Sequence, residues 1–247
     1  MTLPECIEVS NSHGRLCIPT ATSHRPGVRI MLAGKVYEPL TIEFICRNVG
    51  AGDVIHAGAF CGDFLPALSK GVAGKVWAFE PVPSNFACAQ RTLEINGGLA
   101  NVHLMNAGLS DAKGAARMTT QDANGRDFGG SCRIDDAGDT SIETVRLDDV
   151  IPTDRQVSIL HLDVEGHERD ALRGGMEMIK RCRPILIIEE DVGRDLAELG
   201  YKFRYRVHNN VVYSVEPPLH APGRESNLLL SQYRAAKRLV KSLLART

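Results

Sequence analysis

The glycines Gly58 and Gly62 in VIHAGAFCGDF, and the carboxylate Glu80 that ends VWAFE, are the residues whose types and spacing can do chemistry in this chain. Glycines after an apolar strand let the backbone approach a ligand that a Cβ would push away. An acid at the tip of the next strand can accept hydrogen bonds from both hydroxyls of a ribose. The pattern predicts a crevice for adenosine or a similar nucleoside. A tight strand-to-helix turn without a ligand would account for the glycines alone, but not for their coupling to Glu80.

Spacing narrows the ligand. A dinucleotide turn wants GxGxxG, and a nucleoside triphosphate loop wants GxxxxGK[ST]; this chain has GxxxG followed by Asp63 and Phe64. An aspartate at a helix start repels phosphate and suits a cationic or zwitterionic ligand. S-adenosylmethionine, with its ammonium and sulfonium groups, fits this pattern better than NAD or ATP.

A second constellation is LHLDVEGHERDALRGG, residues 160–175. Asp163 falls at the carboxyl end of an apolar strand, which in a parallel sheet lies beside the cofactor crevice. Glu165, Gly166, His167 and Glu168 turn into a helix, where acids also serve as caps. Methyl transfer to oxygen requires alignment, exclusion of water and removal of a proton. The base candidates are Asp163, His161, Glu189 and His167; Asp163 is preferred for its strand-tip position, and Glu189 either acts as base or orients the acceptor. No His-rich or paired-acid spacing supports a metal site.

These groups need a scaffold of alternating elements. Strands are expected at 54–57, 75–80, 101–106, 157–163 and 184–189, and helices at 64–70, 85–96, 167–180 and 193–199. Such alternation predicts an α/β fold with a mostly parallel sheet and right-handed crossovers. Ahead of it, a hairpin is expected around Asn11 to Gly14, a strand at VRIMLAG and a helix over Glu38 to Val49. The Gly-, Asp- and Ser-rich insertion at 114–146 reads either as a carrier of substrate contacts or as a surface loop. A hairpin turns at Asn209 and Asn210, and NLLLSQ at 227–232 reads as a last strand. The organisation expected is a strand and helix extension over 1–50, a cofactor-binding domain over 51–232 and an amphipathic helix over 233–247, all in one structural domain.

With 24% charged residues and a net charge of -1, the chain lacks the basic footprint of nucleic-acid binding. Seven cysteines without a CxxC pair, and a start lacking a basic and then apolar leader, predict reduced thiols in a cytoplasmic protein with no transmembrane span. Cys61, in the glycine turn, is expected to pack rather than react.

The ordered runs VIHAGAFCGDF, VWAFEPVPSNF, NVHLMNAGLSD, RLDDVI, LHLDVEGHERDALRGG and RPILIIEE resemble the FkbM family of S-adenosylmethionine-dependent methyltransferases over residues 37–231. The resemblance implies a seven-stranded Rossmann-like sheet with a reversed last strand and helices on both faces. It also implies S-adenosylmethionine as donor and O-methylation of a hydroxyl on a sugar, polyketide or other small metabolite or glycan. Gly58, Ala59, Phe60 and Gly62 would wrap the methionine end, with Phe64 and Pro81 beside these turns. Glu80 would hold the ribose, and Asn106, Ala107 and Gly108 would flank the adenine. His56 and Phe60 stand where relatives carry the Asp and Asn of DVGAN, so Asp63 or Glu38 is expected to take over the acid's role. His56 and His161 either pair or are separate core histidines. Two rivals are a non-catalytic S-adenosylmethionine-binding module and a nucleotide-dependent oxidoreductase, the latter disfavoured by the missing GxG. The terminal helix and N-terminal strands offer surfaces for a homo-oligomer.

Overall fold

The computed structural model describes residues 2–189 and 191–223. NLLLSQ and the terminal amphipathic helix expected from the sequence lie outside the described residues. The chain opens with a hairpin of β1 (Cys6–Ser10) and β2 (Arg15–Pro19), closed as expected at Asn11, whose Oδ1 accepts from the N–H groups of His13 and Gly14. The next segment corrects the sequence expectation: VRIMLAG is not a strand but lies largely in helix α1 (Pro26–Leu32). Pro26 sits in its first turn, where no backbone donor is needed, and Val28 and Met31 share the buried face at helical spacing. Helix α2 (Pro39–Asn48) follows, close to its expected span.

Strand and helix then alternate: β3 (Asp53–Ala57), α3 (Leu65–Gly71), β4 (Val76–Phe79), α4 (Pro83–Ile95) and β5 (Val102–Met105). The insertion holds three strands, which join a short one just ahead of it. Short β6 (Gly108–Leu109), β7 (Gly114–Thr119), β8 (Arg133–Ile134) and β9 (Thr140–Val145) form their own four-stranded sheet, ordered β6-β9-β7-β8. After α5 (Leu147–Val150) comes β10 (Val157–Leu162). The helix expected at 167–180 is two, α6 (Glu168–Gly174) and α7 (Met176–Cys182), broken at the glycine pair; a Cβ on Gly174 would lie 1.9 Å from the carbonyl oxygen of Ser110. β11 (Ile185–Ile188), α8 (Gly193–Leu196) and the hairpin β12 (Lys202–Val207) and β13 (Asn210–Ser214) complete the described chain.

The main sheet has seven strands in the order β12-β13-β11-β10-β3-β4-β5. Pairs from β5 to β11 are parallel, while β13 runs antiparallel to β11. Side chains alternate between two cores, which is why the central strands read as continuous apolar runs. Ile55, Trp77, Leu160 and Leu186 pack on one face with Leu172 and Ile179 of α6 and α7. Val54, Val76, Ile159 and Ile187 pack on the other with Ile42, Ile45, Leu65 and Leu68 of α2 and α3. At the amino end of β3, buried Asp53 accepts from Lys75 N–H (2.8 Å), Trp77 Nε1 (2.9 Å) and the Arg155 guanidinium. The seven cysteines are free thiols, and Cys61 is fully buried, its thiol pushed up by that burial. Among the described residues no helix is long and apolar enough to cross a membrane.

Candidate active site

The site is built where β3, β4 and β10 end. At Gly58 the backbone takes a φ of +87°, and a Cβ there would lie 2.0 Å from the carbonyl oxygen of Asp163, so only glycine lets these two strand ends approach so closely. Gly58 and Ala59 both donate to the Phe79 carbonyl, each at 3.0 Å, and Gly62 donates to Ala59 at 2.7 Å, which closes the turn. Phe60 between them has a φ of +47°, an uncommon conformation for a large side chain. An asparagine tolerates this backbone better, a physical reason for the departure at Phe60 to matter. The strained turn aims the Phe60 N–H at Glu80 Oε2, 2.7 Å away.

Glu80 is buried, and its other oxygen accepts from Val82 N–H at 2.9 Å and Asn85 Nδ2 at 3.4 Å. Burial pushes its carboxyl up to about 7, against the opposing pull of these hydrogen bonds. Asn106 donates to the backbone carbonyls of Glu80 and Pro81 at 2.8 and 3.0 Å, so it braces the acid's loop instead of lining the space in front of it.

Two adjoining cavities open here. The first, about 490 Å³, runs past Gly58, Glu80 and Pro81 to Ala107 and Gly108, and Asp163 lies on its wall. The insertion supplies its roof through Met118, Gly129, Gly130 and Cys132. The second, about 650 Å³, is walled by His56, Phe60, Asp63, Phe64 and His161. Gly58, Gly130 and Asp163 line both, which makes them compartments of one crevice.

In the second compartment His56 Nδ1 lies 2.8 Å from His161 Nδ1, so the two histidines pair. Burial pushes His56 well below, and His161 down to about 4, so both rings are neutral near pH 7. Half-buried Asp63 is pushed up to about 7 by burial, with the charge of Glu38 adding to the effect.

Several expected residues do not line either compartment. Glu38 sits behind the wall at the start of α2, accepting from Thr41 Oγ1 at 2.9 Å and Asn210 Nδ2 at 3.1 Å. Ala59 and Gly62 shape the turn without facing the space, and Glu189 follows β11 beside Asp163. Asp163, Glu165 and Glu189 offer oxygens within 4.8 Å of one another, a meeting of acids that no sequence spacing announced. Carboxylate proximity alone does not define an ion site. Residues missed from sequence include Arg25, Tyr37 and Phe128 in the second compartment; the Arg25 guanidinium carbon lies 5.9 Å from the centre of the Phe128 ring. The composition of the insertion was the available signal for Phe128 and the glycine roof. Nothing local marked Arg25.

The methyltransferase FkbM domain family matches residues 48–220 of this chain. No protein of curated function matches its sequence. Among solved structures it is distantly similar to a methyltransferase FkbM from Methylobacillus flagellatus KT, at 18% identity and a TM-score of 0.48. That likeness covers 66% of this chain, which spans only 43% of the Methylobacillus one. A SAM-dependent methyltransferase from Aquifex aeolicus is similar at 18% identity and a TM-score of 0.42, covering 72% of this chain and 89% of that one. A 16S rRNA N2 G1207 methyltransferase from T. thermophilus, in complex with AdoMet and guanosine, is similar at 13% identity and a TM-score of 0.47, covering 87% of this chain and 51% of that one.

Proposed function

Because the chain belongs to the FkbM methyltransferase domain family, we propose that it transfers a methyl group from S-adenosylmethionine to a hydroxyl of a small metabolite or glycan. The observation that carries the donor assignment is Glu80: a buried strand-tip carboxylate facing a cavity across from a glycine turn that a Cβ would close.

The residues fit the donor in two parts. Glu80 would hold the ribose hydroxyls, while Pro81, Ala107 and Gly108 would flank the base in the first compartment. Gly58 and Phe60 would wrap the amino-acid end where the compartments meet, with Asp63 the nearby acid that the replaced Asp of DVGAN requires. When bound, S-adenosylmethionine supplies a methyl already activated on sulfonium sulfur. The chain's own residues then position the acceptor, exclude water and take up a proton. Asp163, on the wall of both compartments, marks the junction and is suited to orient the acceptor hydroxyl.

The second compartment supports a small acceptor with a flat or ring-shaped face, because Tyr37, Phe60, Phe64 and Phe128 offer aromatic walls. A net charge of -1 supports this class over a polyanionic nucleic acid. The test is isothermal titration with S-adenosylmethionine, followed by transfer of labelled methyl to a panel of sugars, polyols and phenols. Binding at one site per chain, with label in a hydroxylic acceptor, is expected. No binding by the wild type would remove the donor assignment, and label found only in RNA would remove the acceptor class.

A further inference from the structure

His56 and His161 have a geometry that a merely structural pair does not need. They are register partners on neighbouring parallel strands β3 and β10, so both side chains leave the same face of the sheet. Their ring planes differ by 2°, and the ring centres are 5.0 Å apart while the Nδ1 atoms are only 2.8 Å apart. Centres farther apart than the facing nitrogens mean that the rings meet edge to edge, with the hydrogen bond in their common plane. Phe64 lies parallel to both, 4.8 Å from the His56 centre and 5.6 Å from that of His161, and holds the pair flat.

Proton counting then determines what the outer edges offer. A neutral imidazole carries one N–H, so an Nδ1···Nδ1 bond requires one ring with its proton on Nδ1 and the other with its proton on Nε2. The pair therefore presents one bare Nε2 and one Nε2–H. Both residues are buried, 2% and 1% exposed, and line the second compartment; His56 Nε2 has no hydrogen-bond partner among the described residues, whereas the His161 ring has the Asn210 side chain of β13 as a partner. A buried Nε2 left open in this way calls for a ligand group, or one water, to complete it, as a hydroxyl does.

The surroundings choose the direction. Glu38, at the start of α2, and Glu189, after β11, both favour positive charge on His161, and Asn210 of β13 stands by the same ring. The effect resolved on His56 beyond burial is the opposing influence of His161. Other charged or titratable groups around the pair are Asp63 of the glycine turn, Asp163 and Glu165 after β10, Arg25 ahead of α1, and His208 of the terminal hairpin, 3.7 Å from Glu38. The Nε2–H thus belongs on His161, near the acids. His56 is left with its proton on Nδ1 and a bare Nε2.

We propose that His56 and His161 form a two-histidine proton relay in the acceptor compartment, in which His56 Nε2 accepts the proton of the acceptor hydroxyl and His161 carries the resulting charge. This rests on the methyltransferase function proposed above. As the acceptor oxygen bonds to the methyl carbon, the carbon–sulfur electron pair stays with sulfur. The hydroxyl proton passes to His56 Nε2, directly or through one water. The Nδ1 proton of His56 moves across to His161 Nδ1, leaving His161 protonated on both nitrogens beside Glu38 and Glu189. The arrangement parallels an acid-oriented histidine base, with a second imidazole carrying the charge away from the reacting oxygen.

The test is nitrogen-15 NMR of histidine-labelled full-length protein, with and without S-adenosylhomocysteine, from about pH 8 to about pH 3. Near neutrality His56 is expected as the Nδ1–H tautomer and His161 as the Nε2–H tautomer. On acidification the pair should take up one proton while the amide spectrum of the folded protein persists. In His161→Gln, which retains an acceptor for the His56 Nδ1–H, His56 should keep its tautomer but titrate separately. Identical tautomers, or no proton uptake before unfolding, would overturn the relay. Loss of S-adenosylhomocysteine binding in the wild type would instead count against the function on which it rests.

Discussion

The ribose-holding role proposed for Glu80 makes donor binding depend on pH in a way that can be worked out from its surroundings. Burial holds its carboxyl at about 7 in the ligand-free protein, above the ordinary 4.5. Both oxygens already accept backbone N–H groups, from Phe60 and Val82, so two ribose hydroxyls must donate to the remaining lone pairs of the ionised form. Binding therefore has to drive off the proton that Glu80 carries below neutrality. With a value near 7, that requirement weakens affinity about elevenfold at pH 6 and only about 1.1-fold at pH 8, a net change of about tenfold or ~1.4 kcal/mol. Isothermal titration with S-adenosylhomocysteine at pH 6, 7 and 8 measures it. Wild-type affinity should tighten about tenfold across the series. Asp63 is also pushed up to about 7 and titrates in the same window, so Glu80→Gln serves as the control. Its affinity should be lower, and the Glu80 share of the slope should vanish. A flat wild-type profile, or an unchanged slope in Glu80→Gln, would refute the assignment of this carboxylate to the ribose.

The same raised carboxyl shapes folding stability in the absence of ligand. Its contribution is fully present below about pH 4.5 and is lost as pH rises through about 7, by as much as ~3 kcal/mol, so Glu80→Gln should flatten that part of a melting-temperature profile against pH. Phe60→Asn relieves about 1–2 kcal/mol of left-handed backbone strain but gives up the packing of a ring that is 7% exposed, worth about 3–5 kcal/mol. Urea unfolding should thus show a net loss of about 2 kcal/mol; a more stable variant would mean that strain outweighs packing here. Arg155→Ala leaves Asp53, 1% exposed, without its guanidinium partner, and should lower stability by the same measurement. An unchanged unfolding midpoint would mean that Trp77 and Lys75 suffice to hold the acid.

Much of the scaffold was legible in the sequence because its signals are local. β3, β4, β10 and β11 are buried on both faces, so they appear as short unbroken apolar runs whose limits in the structure fall within a residue or two of those expected. The glycine turn was legible because only glycine fits Gly58 against Asp163, and Glu80 because an acid ending an apolar strand is conspicuous. Where local signals mislead, contacts distant in sequence had the deciding weight. Val28 and Ile30 have the composition of a strand, yet Pro26 starts a helix whose Val28 and Met31 bury against β2. The insertion offered no long periodic segment, since β6 and β8 are two residues each and hold their places by pairing with β9 and β7.

What the sequence determined by itself is the α/β order of elements, the family and the strand ends at which the nucleoside site is proposed, because each is encoded in a run of neighbouring residues. Tertiary structure alone decided that Gly129 and Gly130 roof the first compartment, that Arg25 and Phe128 meet in the second, and that the carboxylates of Asp163, Glu165 and Glu189 converge. It also decided between two open alternatives for His56 and His161. They lie 105 positions apart in the chain, and only the parallel register of β3 on β10 sets their Nδ1 atoms at 2.8 Å.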